Sequence, residues 1–205
     1  MKGSTKLDSW ETEIGTATSH ALRSFAENEL AYLALTSKIE SPIRDRMAFY
    51  LHIKYADEGY LIAREWQRVD LAVLSPDAKP ACLVELKAMY AFDALARVPW
   101  FVEPVNADFI KISQHEVPSA NIFGIILGTH VHATVPQEYR EVVKYAELIN
   151  RAYKQYVSSQ IIRDRASAAV HDHYGTRIRL HGEHPAGSAF GLGVTILWWL
   201  VRPDL

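Results

Sequence analysis

Cysteine is nearly missing from this chain. Cys82 is the only one in 205 residues, so no disulfide can close within the chain and a reducing compartment suits it. Set inside an apolar run, it reads as a small core residue. A dominant charge is also lacking: 22 Lys and Arg stand against 24 Asp and Glu, a formal net charge of -2. That excludes a protein-wide basic field for nucleic acid. Any such surface must be local, built from residues such as Arg44, Arg46, Lys54, Arg64, Arg68 and Lys111. The longest apolar stretch, 189–201, is too short to span a bilayer and holds two glycines. The polar first residues lack the apolar segment of a secretory signal, so the expectation is a cytoplasmic protein with no membrane partner.

Several motifs are missing as well. There is no P-loop, no G-x-G-x-x-G, no G-x-S-x-G and no internal repeat, which sets aside nucleotide hydrolases, Rossmann enzymes and common serine hydrolases. The nine histidines form no zinc set. His130 and His132 would share a face on a strand and His181 and His184 lie in a turn-rich stretch, while His171 and His173 point apart on a helix.

What is present is concentrated in 65–90, where two apolar runs, VDLAVL from Val69 and ACLVEL from Ala81, flank a turn-rich SPDAKP. These are two neighbouring strands joined by a reversal. Asp70 interrupts the first run, and Glu85 and Lys87 close the second. Strand side chains alternate faces, so Glu85 and Lys87 point one way and Leu86 the other. Buried charges cost free energy unless paired or holding a metal. Two readings follow: a metal-dependent catalytic trio, or an ion-paired structural one.

The rest of the chain supplies a single α/β domain with enough apolar residues for a full core. Residues 1–16 are expected as a loose arm, 17–36 as one helix, and 41–55 as a second with Ser41 as its cap and Pro42 at its first position. Strands are expected at 60–66, 68–74 and 80–87, then an irregular aromatic segment at 88–105 broken by Pro99 and Pro104. A short helix at 106–115 follows, in which Asp108 and Lys111 form an i,i+3 pair. NIFGIILG, starting at Asn121, reads as a strand buried on both faces. One or two helices between 136 and 174 come next, then strands at 174–180 and 189–201 joined by the turn-rich HGEHPAGS.

Asp70, Glu85 and Lys87, spaced D-x14-E-x-K on a hairpin, resemble the signature of the PD-(D/E)XK nucleases, the restriction-endonuclease-like superfamily, although Val69 replaces the proline of that name. The resemblance covers about 40–130 and implies a core of helix, three-strand meander, helix and strand, a central mixed sheet flanked by helices, with C-terminal additions. It implies a nuclease, DNA endonuclease first, with magnesium as cofactor and manganese able to substitute. Asp70 and Glu85 would hold the metal with the Leu86 carbonyl, and Lys87 would position or deprotonate the attacking water. An acid from the preceding helix would join them; of Glu40 and Glu29, Glu40 is preferred. A second copy of the chain is the other partner this reading admits. The alternative from another class is a silent nuclease-like fold that binds or assembles without chemistry.

Overall fold

The computed structural model describes residues 9–204, without the side chains of 96–104. Six strands form one mixed sheet: β1 (Leu61–Trp66), β2 (Val69–Leu74), β3 (Pro80–Tyr90), β4 (Ile122–Val131), β5 (Ile178–Ala189) and β6 (Leu192–Val201). Their spatial order is β1-β2-β3-β4-β6-β5. Only β3 and β4 run parallel, and a parallel pair needs a crossover. The crossover is α4 (Ala91–Ile112), whose first turn is anchored by Asp93 Oδ2 accepting the Tyr90 N–H at 2.9 Å.

Helices cover both faces. α1 (Trp10–Arg23), α2 (Glu29–Thr36) and α3 (Glu40–Tyr55) pack on one side against Leu71, Val73, Val84 and Leu86. α4 and α6 (Ser159–Tyr174) pack on the other against Leu83, Met89 and Trp199. α5 (Ala146–Tyr156) contributes Ile149 to the first layer and Ala152 to the second. The helical stripes follow the i,i+4 rule: Ile43, Met47, Leu51 and Tyr55 on α3, and Ile162, Ala166, Val170 and Tyr174 on α6.

Several expected boundaries are wrong, each for a physical reason. The loose arm lies outside the described residues at 1–8, but Trp10 already begins α1, because Trp10, Ile14, Ala17 and Ala21 form a buried stripe. The single helix over 17–36 breaks at 24–28, where Asn28 adopts a left-handed φ of 65° and its Oδ1 accepts the Ser188 N–H at 2.8 Å. α3 starts at Glu40 with Ile39 in the cap position, so Ser41 lies in the first turn and caps nothing. The irregular segment over 88–105 is the end of β3 and most of α4, and the short helix at 106–115 is the continuation of α4. Tyr174 closes α6 rather than opening a strand, and HGEHPAGS is strand β5. An edge strand tolerates Pro185, and the irregular register between Pro185 and Gly187 absorbs it.

Candidate active site

The site lies where β2 and β3 part. Their pairing ends at Leu71 opposite Val84, and just beyond that end the Asp70 and Glu85 side chains are hydrogen-bonded to each other. Glu85 and Lys87 share a face of β3, and Lys87 meets Asp108 of α4 on it, while Asp70 sits in the gap within reach of Arg44 from α3. β2 begins at Val69 while β3 runs on to Tyr90, so the far half of β3 has no strand partner on that edge. Carboxylates take the place of the missing ladder. Asp70 Oδ2 accepts the Leu86 N–H at 2.8 Å, and Glu40 Oε1, from the first residue of α3, accepts the Ala88 N–H at 2.6 Å. Those two N–H groups sit about 6.6 Å apart along the strand.

Electrostatics bind the group together. Glu85 is 6% exposed. Burial, a hydrogen bond with the Asp70 carboxyl and the charges of Asp70 and Asp108 push its carboxyl up to about 8, against a smaller opposing pull from Lys87. Burial and the neighbouring acid thus both favour a proton held between Glu85 and Asp70. Lys87 Nζ lies 2.7 Å from Asp108 Oδ2 on α4, and Lys111 Nζ lies 2.8 Å from the other oxygen of Asp108. Burial works against the Lys87 charge, but Asp108, Glu85 and Asp70 together outweigh it and hold the amine above its ordinary value. Burial of the Asp108 carboxyl is likewise outweighed by its two lysines, so it stays below the usual carboxylate range. Lys87 is thus an ammonium suited to stabilising negative charge and poorly suited to removing a proton from water.

Of the residues singled out from sequence, Asp70, Glu85 and Lys87 converge. Glu40 reaches the same strand edge, bonded to Ala88, with Lys38 Nζ 3.9 Å from its Oε1. Glu29 is engaged elsewhere: its Oε2 accepts the Ala26 N–H at 2.8 Å and its Oε1 lies 3.7 Å from Arg46. The Leu86 side chain is in the core. Because a strand residue exchanges both its N–H and C=O bonds on one side, the Leu86 carbonyl faces the same gap as the N–H that Asp70 holds. The basic patch expected before the site is largely neutralised: Arg44 pairs with Asp45 and Glu65, Arg64 with Asp45, Arg46 with Glu29 and Lys54 with Glu13.

The roles of two participants were missed in the sequence. Arg44, nearly buried, comes within 3.9 Å of Asp70 Oδ1; it looked like an ordinary surface arginine on α3. Asp108 stood out in the sequence as a candidate pair with Lys111, on a helix that the resemblance lets carry polar residues toward the cleft; its bond to Lys87 could not be read from spacing. The histidines His130 and His132 lie at the end of β4, bonded to hydroxyls: His130 Nε2 is 2.9 Å from Ser159 Oγ and His132 Nε2 is 2.9 Å from Thr195 Oγ1.

Among the described residues no three His, Cys, Asp or Glu side chains gather closely enough to hold one cation. The donors that do converge are the Asp70 and Glu85 carboxyls, with the Leu86 carbonyl facing them. A small hard cation takes one or two carboxylates and keeps several waters, so this oxygen set fits magnesium or manganese once the Glu85 proton leaves. The site stands on its geometry alone, since no family model, characterised protein or solved structure matches the chain.

Proposed function

We propose that this chain is a magnesium-dependent phosphodiesterase that hydrolyses nucleic acid, DNA first, on a PD-(D/E)XK-type core. The observation that carries the reading is the meeting of the Asp70 and Glu85 carboxyls at a break in strand pairing, with the Lys87 ammonium on the same face of β3 as Glu85. The order α3, β1, β2, β3, α4, β4, with β3 parallel to β4, is also the order that the resemblance implies.

Asp70, Glu85 and the Leu86 carbonyl would hold the cation, and Glu40 would join them by releasing the Ala88 N–H. Bound there, the cation supplies Lewis acidity and a water acidified towards neutral pH. The protein's own share is positional. Glu85 would release its proton to solvent as the cation binds, so that both carboxylates carry charge. Lys87, steadied by Asp108, stabilises the negative charge that develops on the phosphoryl oxygens. Arg44 holds Asp70 in line.

The test is incubation of supercoiled plasmid with magnesium or manganese. Nicking is expected from the native chain, with loss in Lys87→Ala and Asp70→Ala. No nicking, or nicking unchanged in the two variants, removes the assignment. A second reading is favoured by one specific observation: Lys87 is bonded to Asp108 and Glu40 to Ala88, so the charges of the group already have partners. A silent binding module would show no cleavage and no manganese-dependent rise in melting temperature.

A further inference from the structure

A recess of about 200 Å³ opens beside the proposed catalytic edge. It lies at the carboxyl ends of the parallel strands β3 and β4, between Ala88, Tyr90 and Thr129, the first turn of α4 at Asp93, and the segment that leaves α2 through Lys38. Crevices at the carboxyl ends of parallel strands are where open α/β sheets take ligands. Ala88 is both a wall of this recess and the residue whose N–H Glu40 holds. The recess therefore begins two strand residues, about 6.6 Å, beyond the point where Asp70 meets Leu86.

Its outer wall is Tyr145. That side chain is 42% exposed and meets Tyr90 edge-on, with centroids 5.3 Å apart at 84°. Its backbone is left-handed at a φ of 59°, a conformation that bulky residues rarely adopt and that persists only where the surroundings hold it. The hold is visible next door: the Lys144 N–H donates to the Leu35 carbonyl of α2 at 2.7 Å. One cation lines the recess and a second lies against its outer wall: Lys38 is a lining residue with Nζ 3.9 Å from Glu40 Oε1, and the Lys144 ammonium lies over one face of the Tyr145 ring, 5.2 Å from its centroid. An exposed ring beside ammonium groups is what a base next to a phosphate requires. The volume falls below the roughly 300–1,000 Å³ of pockets that bury drug-sized ligands, so it suits one planar base better than a base pair.

We infer that this recess takes one unpaired nucleobase from the strand whose neighbouring phosphodiester lies at Asp70 and Glu85, with Tyr145 as its stacking surface. The substrate is then single-stranded or frayed nucleic acid, not intact duplex. This inference rests on the phosphodiesterase reading and specifies its substrate.

Fluorescence anisotropy in EDTA, where no metal-dependent cleavage occurs, measures binding apart from chemistry. The probes are fluorescein-labelled oligothymidylate and the same strand annealed to oligoadenylate. The single strand should bind more tightly. Tyr145→Leu, which keeps apolar bulk without a π face, should weaken that binding roughly 5- to 100-fold, while Tyr145→Phe retains it. Lys38→Ala should lower the slope of log affinity against log salt by about 0.7. Melting curves confirm that the variants are folded. Equal binding by native protein and Tyr145→Leu, tighter binding of duplex, or no binding of either probe overturns the inference. The two readings separate when manganese is added. Tyr145-dependent binding without cleavage leaves the recess standing and removes the hydrolase; cleavage indifferent to Tyr145 and to strandedness does the opposite.

Discussion

Glu85→Gln should stabilise this protein at alkaline pH, and by an amount that grows as pH rises. The native carboxyl is pushed from an ordinary 4.5 up to about 8 by burial first and by Asp70 second. The folded state therefore binds a proton that the unfolded chain has released, and the stability this provides is fully present below pH 4.5 and lost as pH rises through 8. At about 1.4 kcal/mol per pH unit the whole loss is bounded at roughly 4 to 5 kcal/mol, and proton sharing with Asp70 makes about half of that a fair expectation. Glutamine keeps the shape and still donates to Asp70, yet cannot ionise. His130 works in the other sense: burial pushes it down to about 4, so its contribution is lost as pH falls from 6.5 towards 4. The two slopes offset each other between about pH 4.5 and 6.5, and His130 cancels in the comparison of native with variant. Urea unfolding in EDTA at pH 5 and pH 8.5 gives the assay. The variant should match the native protein at pH 5 and exceed it by about 2 kcal/mol at pH 8.5. A difference that is flat with pH, or that favours the native protein at pH 8.5, refutes the shared proton.

Calorimetric titration with manganese separates the roles of the charged trio. Lys87→Ala should leave metal affinity intact or raise it, because a repelling cation has gone, whereas Asp70→Asn should lower it by removing a charged oxygen donor; equal losses in both would mean an ordinary ion-pair cluster. Away from the site, Val157 ends α5 with a φ of 62° and is 83% exposed. Val157→Gly should raise stability by about 1 kcal/mol, read as a higher melting temperature, since a β-branched residue is strained in the left-handed region that glycine enters freely.

The legible part of this chain was the part governed by short-range alternation. Glu85 and Lys87 could be put on one face because a strand has a period of two, and Asp70 could be set on the neighbouring strand because the hairpin link is short, but its face could not be read. Glu40 could be placed near them only by chain order, and its bond to Ala88 depends on where α3 packs, which no local pattern records. α4 was hidden by Pro99 and Pro104, whose penalty in a helix is large. Ala91, Ala94, Val105, Phe109 and Ile112 all bury against the sheet, and that tertiary gain keeps the segment helical. β5 was hidden by its glycines and Pro185, which read as a turn unless the strand is known to lie at an edge. The break before α2 depends on an Asn28 contact with Ser188, 160 residues away, and no window of sequence contains it.

The parting of β2 from β3 also bears on how the sheet meets other extended chains. Open rows of backbone donors belong at the rim of a sheet, where they invite other chains to pair; here such a row lies within the sheet, along β3. Two carboxyl side chains occupy it, Asp70 on the Leu86 N–H and Glu40 on the Ala88 N–H. An incoming extended segment would have to displace both acids and leave them without partners in a half-buried cleft. The acids proposed for catalysis therefore also act as stoppers against intruding strands, and a chain stripped of them would lose that protection along with any chemistry.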